Sequence, residues 1–478
     1  MSDYSTLLKK YISEKDVKVA ELIQFCGLER SNTYKIINGK RRPPSLEGAR
    51  KIANFLQLSP GECEVYYEAY YRSLYGEAVY EQNLQIETLI RDFNQAWQGQ
   101  TYMKLADQKV ETVDASDLYL LKGRQEINYH LKMILEEEML EAQPKVCLIT
   151  QCENTYLLET LIALGKSREA LRIRHILCFQ KQGEASGQNL ELIQRILGLY
   201  ASGCRYEPHY YYDEVRAHFS NMNLFCNCII CGKSVLCYTS DYSYGQLIRE
   251  AECARAYKDI FSQYQKQTYP LLERVDSIMQ EYLSLGKTVL KGASAMAYSL
   301  HAEPCGVPFI TDELLEKHLR REIPQREQMR QIFSNYIKEE KAAVDQGGFR
   351  CYFTVRGVEA FIEKGRLGEI PNDFYEPFTK AECLDIIRRM LPSFARGSYR
   401  LLKNRMAEIP SDLHIFVAPT TGHFLFTNNR EELVYISMNE PGMIGQFYRF
   451  MEGLNEELSL YTADEAAEKI KEVIEKYQ

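Results

Sequence analysis

Apolar residues recur every three to four positions through the N-terminal part of the chain, which predicts a bundle of short helices. Leu7, Leu8 and Ile12 predict the opening helix, and Leu22, Ile23 and Phe25 predict the next. Gly27 then predicts a sharp turn, because glycine enters the left-handed backbone region without a steric penalty.

Three more helices are predicted after this turn. The first runs from about residue 30 to residue 37 and ends at Gly39. Ser45 is the predicted N-cap of the next, and Ser59-Pro60 starts the last, because proline fits the first helical position. The last helix carries a tyrosine-rich strip, which we interpret as packing against a neighbouring domain or a second subunit rather than stacking on bases. Its members are Tyr66, Tyr67, Tyr70, Tyr71, Tyr75 and Tyr80.

The pattern changes in the middle of the chain. Residues 78–97 and 124–140 have helical periodicity, and after Pro144 strands and helices alternate, which is typical of an α/β domain with a central sheet. The predicted elements are strand 146–149, helix 156–164, strand 173–179, helix 190–200, a hairpin of strands 227–231 and 235–239, and helix 244–265.

The C-terminal part predicts a second α/β unit. Strands are expected at 413–417, 423–427 and 433–437, and a helix at 445–454. The segments SVLCYTSDYSYGQLIREAE and ELVYISMNEPGMIGQFYRF share an apolar strand, a serine, a polar turn, a glycine and a helix. This similarity suggests a repeat of the first unit, with a mainly helical segment between the two copies.

Charge is divided unevenly along the chain. Residues 1–60 contain 11 Lys and Arg against 6 Asp and Glu, a local charge of +5, whereas the whole 478-residue chain is −8, which leaves −13 for the remainder. A basic N-terminal region on an acidic body can bind a polyanion through one face. The sequence has no apolar run of 18 residues and no charged-then-apolar leader, and its 14 cysteines are scattered. We therefore expect a cytoplasmic protein with reduced thiols and no membrane partner.

Two helices joined by a glycine turn, with a basic second helix, are typical of a helix-turn-helix. The segment resembles the Cro/C1-type helix-turn-helix of phage repressors and xenobiotic-response-element regulators in the spacing of Gly27, Asn38-Gly39-Lys40, Ser45-Leu46 and Ile52-Ala53. The resemblance implies that the second helix lies in the major groove of double-stranded DNA. It also implies that the Asn-Gly-Lys turn meets the phosphate backbone.

The predicted DNA contacts form two sets, because base contacts specify sequence and phosphate contacts set register. Arg and Lys can donate to guanine and Asn can pair with adenine, so four side chains of the second helix are predicted to contact bases. They are Arg30, Ser31, Asn32 and Lys35. The predicted backbone contacts are Asn38, Lys40, Arg41 and Arg42. The alternative is a solvated basic loop on an ordinary helical domain.

The hairpin NCIICGKSVLCYTSD also gives the body a weak resemblance to the phospholipase-D-like fold, which is duplicated and serves as a sensing domain in some regulators. Superposing the hairpins places Leu224, Cys226 and Cys231 where catalytic members carry their His-Lys-Asp motif. None of the three supplies the nucleophile, cation and carboxylate of phosphodiester chemistry. The resemblance therefore implies a non-catalytic body.

Other polar clusters are interpreted as structural. Cys226, Cys228, Cys231 and Cys237 lack the spacing of zinc knuckles and are read as small buried residues of a sheet, with a redox or metal sensor as the alternative. His209 with its tyrosine neighbours is read as interdomain packing, with a polar pocket as the alternative. His301, Glu303 and Cys305 lie close together without a partner motif. We predict no catalytic residue, no metal and no cofactor.

The sequence thus predicts a multidomain protein with an all-α helix-turn-helix bundle followed by an α/β (α+β) body. The expected parts are a DNA-binding domain at 1–76, a helical linker or dimerisation region at 77–142, an α/β sensor domain at 143–268, a helical segment at 269–345 and a second α/β domain at 346–478. The favoured function is a homodimeric, sequence-specific transcriptional regulator, not an enzyme, whose body senses a small-molecule or peptide effector or mediates oligomerisation. The alternatives are an enzyme, such as a phosphodiester-type hydrolase, with a DNA-targeting N-terminal domain, or an N-terminal domain that contacts only protein.

Overall fold

The structure, a computed structural model, describes residues 3–94, 117–151, 154–168, 170–180, 186–213, 224–275 and 296–478. The N-terminal domain is helical, as the apolar periodicity predicts. Its helices are α1 Asp3–Glu14, α2 Val19–Cys26, α3 Arg30–Ile37, α4 Leu46–Phe55 and α5 Pro60–Tyr75, followed by α6 Glu77–Arg91. The expected caps are present: the Ser45 hydroxyl accepts from the Gly48 amide, and Ser59 and Glu62 form a capping box at the start of α5.

The body contains two mixed sheets. The elements of the first half are β1 Leu118–Lys122, α7 Gly123–Glu138, β2 Lys145–Ile149, α8 Thr155–Ser167, β3 Arg172–Phe179, α9 Ser186–Ala201, β4 Arg205–Tyr212, β5 Asn227–Ile230, β6 Val235–Tyr238, β7 Tyr244–Ile248, α10 Ala251–Gln265, β8 Tyr269–Pro270 and β9 Leu272–Arg274. The first sheet has the order β1-β7-β6-β5-β2-β3-β4-β8. Strands β2, β3 and β4 are parallel, and the meander β5–β7 adds to β2 antiparallel.

The second half repeats this arrangement of strands. Its elements are β10 Ala297–His301, a 3-10 turn Val307–Phe309, α11 Asp312–His318, α12 Arg326–Gln346, β11 Phe349–Phe353, α13 Val355–Lys364, α14 Lys380–Met390, α15 Pro392–Ala395, β12 Tyr399–Leu401, a 3-10 turn Asn404–Glu408, β13 His414–Ala418, β14 Thr421–Thr427, β15 Leu433–Met438, α16 Pro441–Gly453 and α17 Ala463–Tyr477. The sheet order is β12-β11-β10-β13-β14-β15-β9. Strands β10–β12 are parallel, and the meander β13–β15 adds to β10 antiparallel.

The two halves of the body share one core. Phe93, just after α6, packs its ring 5.0 Å from that of Phe426 on β14, and the Tyr200 hydroxyl of α9 donates to the Leu272 carbonyl at 2.8 Å. Residues of α6 and of both sheets belong to the same buried cluster. Helix α6 is therefore an integral part of the body, because its apolar face packs against α9 of the first half and α16 of the second.

Several sequence predictions differ from this fold. The region at 77–142 was expected to be helical, but it contains β1, which pairs with β7. The segment at 269–345 was expected to be mainly helical, but it contains β9 and β10. Strand β10 is the member of the parallel set that pairs with the meander of the second sheet. The helix predicted from 244 begins only at Ala251, because residues 244–248 form β7.

Strand β4 was not predicted, although its alternating exposure is typical of a strand with one buried face. The two sequence segments that suggested a repeat were also aligned to the wrong strands. They match β6 with β15, whereas β7 is the strand of the first sheet that occupies the position of β15 in the second. The predicted end of the 78–97 helix lies partly outside the described residues.

Candidate nucleic-acid interface

Gly27 makes the turn between α2 and α3. Its φ of 64° lies in the left-handed region, and a Cβ built there would meet no atom within 4 Å. The glycine is thus required by backbone conformation and not by space. On the inner side of the turn, Leu22, Cys26, Ile36 and Ile37 are buried against α4 and α1. This packing fixes α3 with its opposite face toward solvent.

The outer face of α3 carries most of the side chains that the sequence predicts as base contacts. Arg30, Ser31 and Lys35 are exposed. Tyr34, one turn after Arg30, is 40% exposed and lies on the same side, and the sequence analysis did not single it out. Its helical spacing from Arg30 was the available signal. An exposed phenol beside two cations adds an apolar surface and a donor to this face.

Asn32 is held differently from its neighbours. Its amide nitrogen donates to the Glu29 carboxylate, and its amide oxygen accepts from the Arg41 guanidinium. One predicted base contact is therefore bonded to one predicted phosphate contact. For Asn32 to pair with adenine, it has to exchange both hydrogen bonds for bonds to the base. The Arg41 guanidinium is then free to contact the DNA phosphate backbone.

The basic turn after α3 is fixed at its base and open at its tip. Gly39 adopts a φ of 68°, and the Lys40 amide donates to the Lys35 carbonyl at 2.8 Å. The Tyr70 hydroxyl of α5 donates to the Pro44 carbonyl at 3.0 Å, which ties the end of the turn to the bundle. Asn38, Lys40, Arg41 and Arg42 are exposed.

Cations on this surface have few acidic neighbours. Within the described part of the chain, the structure gives Arg30, Lys35, Lys40 and Arg42 no salt bridge. In contrast, Lys51 on α4 binds Glu47 at 2.7 Å. Exposed cations without carboxylate partners produce a positive potential that attracts phosphates.

The body holds the N-terminal domain from the side of α4 and α5. The Arg50 Nε of α4 donates to Glu457 Oε1 at 2.7 Å, and the Tyr71 hydroxyl of α5 donates to the other oxygen of the same carboxylate at 2.9 Å. Arg405 of the body binds Glu68 at 3.2 Å. The surface formed by α3 and the basic turn stays open to solvent while these contacts are made.

The tyrosine-rich strip serves both parts of the protein. Tyr66 is buried inside the bundle, where its hydroxyl lies 2.7 Å from that of Tyr4. Tyr71 reaches the body through Glu457. The predicted role in packing against a neighbouring domain thus applies to Tyr71, whereas Tyr66 stabilises the DNA-binding bundle itself.

A match to one protein family agrees with this geometry. Residues 8–68 match the family described as "Cro/C1-type HTH DNA-binding domain". This segment is a Cro/C1-type DNA-binding domain. No curated protein matches the chain. Among solved structures, that of TrmBL2, described as an archaeal chromatin protein with a novel mode of DNA binding, is similar at 14% identity and a TM-score of 0.23, with 51% of this chain and 84% of that chain covered.

The phospholipase-D-like resemblance of the body finds no counterpart in these comparisons. No helix in the described ranges is long and apolar enough to cross a membrane. No group of three His, Cys, Asp or Glu side chains among the described residues is arranged to hold a metal ion. In the cysteine-rich hairpin, the Sγ atoms of Cys228 and Cys237 face each other across β5 and β6 at 3.5 Å.

A second polar cluster lies inside the C-terminal half, where the sequence singled out His301, Glu303 and Cys305. The His301 ring stacks on that of His414 from β13, with centroids 4.8 Å apart, and His414 Nε2 lies 3.5 Å from Glu303 Oε1. The Cys305 thiol donates to Glu340 at 3.1 Å. His414 and Glu340 could not be found from the sequence, because strand pairing and the packing of α12 bring them there.

Burial raises the pKa of Glu340 to about 7. A carboxyl whose pKa is raised by folding stabilises the fold at low pH, and this contribution is lost as pH rises from the ordinary carboxyl range through that value. We expect Glu340→Gln to raise the free energy of unfolding at pH 8 by about 3 kcal/mol and to change it little at pH 4. Urea unfolding at the two pH values measures this, with Glu472→Gln on the exposed side of α17 as control. An unaltered pH dependence in Glu340→Gln would contradict the account.

Proposed function

We propose that the protein is a sequence-specific transcriptional regulator. In this proposal, α3 contacts the bases of operator DNA and the basic turn 38–42 contacts its phosphate backbone. The observation that carries this proposal is the set of exposed cations on the outer surface of a Cro/C1-type domain, which form no salt bridge with any described residue. These side chains stay exposed while the domain contacts the body, which leaves them accessible to a duplex.

The proposal includes a dimer on DNA. A single domain of this size contacts one half-site, and a two-fold arrangement joins two half-sites about one helical turn apart. We expect sedimentation analysis with a duplex to give two chains per operator. One chain per selected operator would contradict the dimer and leave DNA reading intact.

We also propose that the body has a regulatory, non-catalytic role. The repeated order of three parallel strands and a meander supports a duplicated α/β unit. Cys305 and Glu340 of the second polar cluster are 1% and 3% exposed, and reacting groups of an enzyme must be reached by substrate. This enclosure favours a structural role for the cluster.

Lys35→Ala tests base reading. We expect it to relax the base preference at one position of each half-site, because a good base contact discriminates by about 1–3 kcal/mol. Binding of a pool of single-base operator variants measures the preference. The control is Lys51→Ala, which makes the same charge change on α4. An equal loss of affinity on all sequences would show that Lys35 contacts only the backbone.

A further inference from the structure

A cleft lies where α5 and α6 meet the C-terminal half of the body. Its volume is about 90 Å³, below the roughly 300–1,000 Å³ of sites that enclose a drug-sized molecule, so it can hold only a small molecule or one end of a larger one. One wall is formed by α5 and α6. The other consists of residues 404–406, the end of α16 and the turn 453–459. Two parts of the protein thus contribute to one site.

The charged lining of this cleft is mainly acidic. Among the described residues that line it, Glu64, Glu68 and Glu87 face a single cation, Arg405, which binds Glu68 at 3.2 Å. The structure gives Glu64 no salt bridge within the described ranges. Arg405 also acts on Glu87, so one cation is shared among three carboxylates.

Glu87 is largely enclosed, with a side chain 19% exposed. Arg91, on the same helix, lies at the long separation of 4.0 Å between its Nη1 and Glu87 Oε1. Burial raises the pKa of Glu87 even though Arg405 and Arg91 act in the opposite direction. The positive charge around this carboxylate is therefore insufficient to offset its desolvation.

Aromatic rings complete the lining. Tyr71 and Tyr75 stack with centroids 5.6 Å apart, and Tyr80 lies on the facing helix. The Arg72 guanidinium already sits 4.7 Å from the Tyr80 ring centroid, so this ring accepts a cation within the protein itself. Carboxylates beside tyrosine rings attract organic cations, because the rings bind both the charge and the apolar part of such a molecule.

We propose that this cleft binds an amphipathic organic cation, with its ammonium or guanidinium group near Glu87 and Glu64 and its apolar part against the tyrosines. As the effector site of a regulator, the cleft rests on the function proposed above. The link to DNA runs through Tyr71, which lines the cleft and donates to Glu457, the carboxylate that also holds Arg50 of the DNA-binding domain. A ligand that prefers one arrangement of Tyr71 shifts the contact between the two parts.

Calorimetric titration of the full-length protein with 4-phenylbutylammonium tests the site, with 4-phenylbutan-1-ol as the neutral counterpart. We expect saturable binding of one ammonium ion per chain and at least tenfold weaker binding of the alcohol. Glu87→Gln and Glu64→Gln should each weaken binding of the ammonium ion severalfold. Neither should alter the melting temperature by more than Glu472→Gln does. Tyr75→Leu, which removes a half-exposed ring, should weaken binding of both compounds.

Absence of binding, equal binding of the charged and neutral compounds, or binding unaffected by Glu87→Gln and Glu64→Gln would each overturn the site. The operator affinity with and without the saturating ammonium ion is a separate readout. A change in operator affinity that disappears in Glu87→Gln supports the effector role. Saturable binding with unchanged operator affinity would leave the cation site standing and contradict its role in regulation.

Discussion

Replacing Lys40, Arg41 and Arg42 together with alanine should weaken binding to every DNA sequence by on the order of 100- to 1,000-fold at about 0.1 M salt. The three side chains are exposed on a turn whose backbone is fixed by Gly39 and by the bond from Tyr70 to Pro44. Each phosphate contact releases condensed counterions, so the slope of log affinity against log salt should become shallower by about 0.9 per lost contact. Titration of labelled duplexes at several salt concentrations measures both effects.

Arg41 also donates to the Asn32 side chain, so its replacement can alter base recognition as well as phosphate binding. Separate variants are therefore needed to distinguish the two effects. Lys40→Ala with Arg42→Ala should lose affinity and about two units of salt slope without altering the preferred sequence. Adding Arg41→Ala should also change the preference at the base that Asn32 reads. The matched control replaces Lys469, Lys471 and Lys476 of α17 with alanine. An unchanged salt slope in the triple variant of the turn would exclude these residues as phosphate contacts.

Glu457→Gln should release the DNA-binding domain from the body. The Glu457 side chain is 4% exposed and accepts from Arg50 and from the Tyr71 hydroxyl, whereas the Arg50 side chain is 48% exposed. Loss of charge-assisted bonds at this site, discounted for the exposed partner, costs about 2 kcal/mol. Hydrogen exchange of amides in α5 that open with this contact should therefore become about 30-fold faster.

The matched control for this experiment is Glu452→Gln, which removes an exposed carboxylate from the end of α16. It should leave exchange in α5 unchanged. If Glu457→Gln behaves like Glu452→Gln, the Arg50–Glu457–Tyr71 contact does not hold the two parts together, and the proposed route from cleft to DNA is lost with it.

The DNA-binding domain could be predicted from the sequence because its determinants are local. Helix α3 begins at Arg30 and ends at Ile37 as expected, Gly27 adopts the left-handed conformation, and the caps at Ser45 and Ser59 form. Each of these features depends on residues within four positions of one another. The matched family covers the same segment.

The body was harder to predict because its determinants are distant in sequence. Strands β1 and β4 lie at or near the edges of the first sheet, where alternating exposure resembles a polar loop, and β10 sits among helices along the chain but next to β13 in space. The cleft shows the same limit. Glu64, Glu87 and Arg405 have unremarkable neighbours in sequence, and only the docking of α5 and α6 on the body brings them together.

The hydrogen bond between Arg41 and Asn32 could not be predicted from the sequence either. Asn32 lies nine positions from Arg41, and only the path of the turn places the two side chains in contact. The sequence could identify residue types suited to base contacts, whereas the structure shows which of them is already bonded. The roles of Arg30, Ser31, Asn32 and Lys35 on DNA stay predictions until a complex is measured.

Selection of bound duplexes from a random DNA pool with the full-length protein tests whether the N-terminal domain reads DNA sequence. We expect enrichment of a two-fold-symmetric site whose half-sites are centred about one helical turn apart, and loss of the enriched bases at one position of each half-site in Lys35→Ala. Recovery of unenriched random sequences by the wild-type protein at low salt would contradict it.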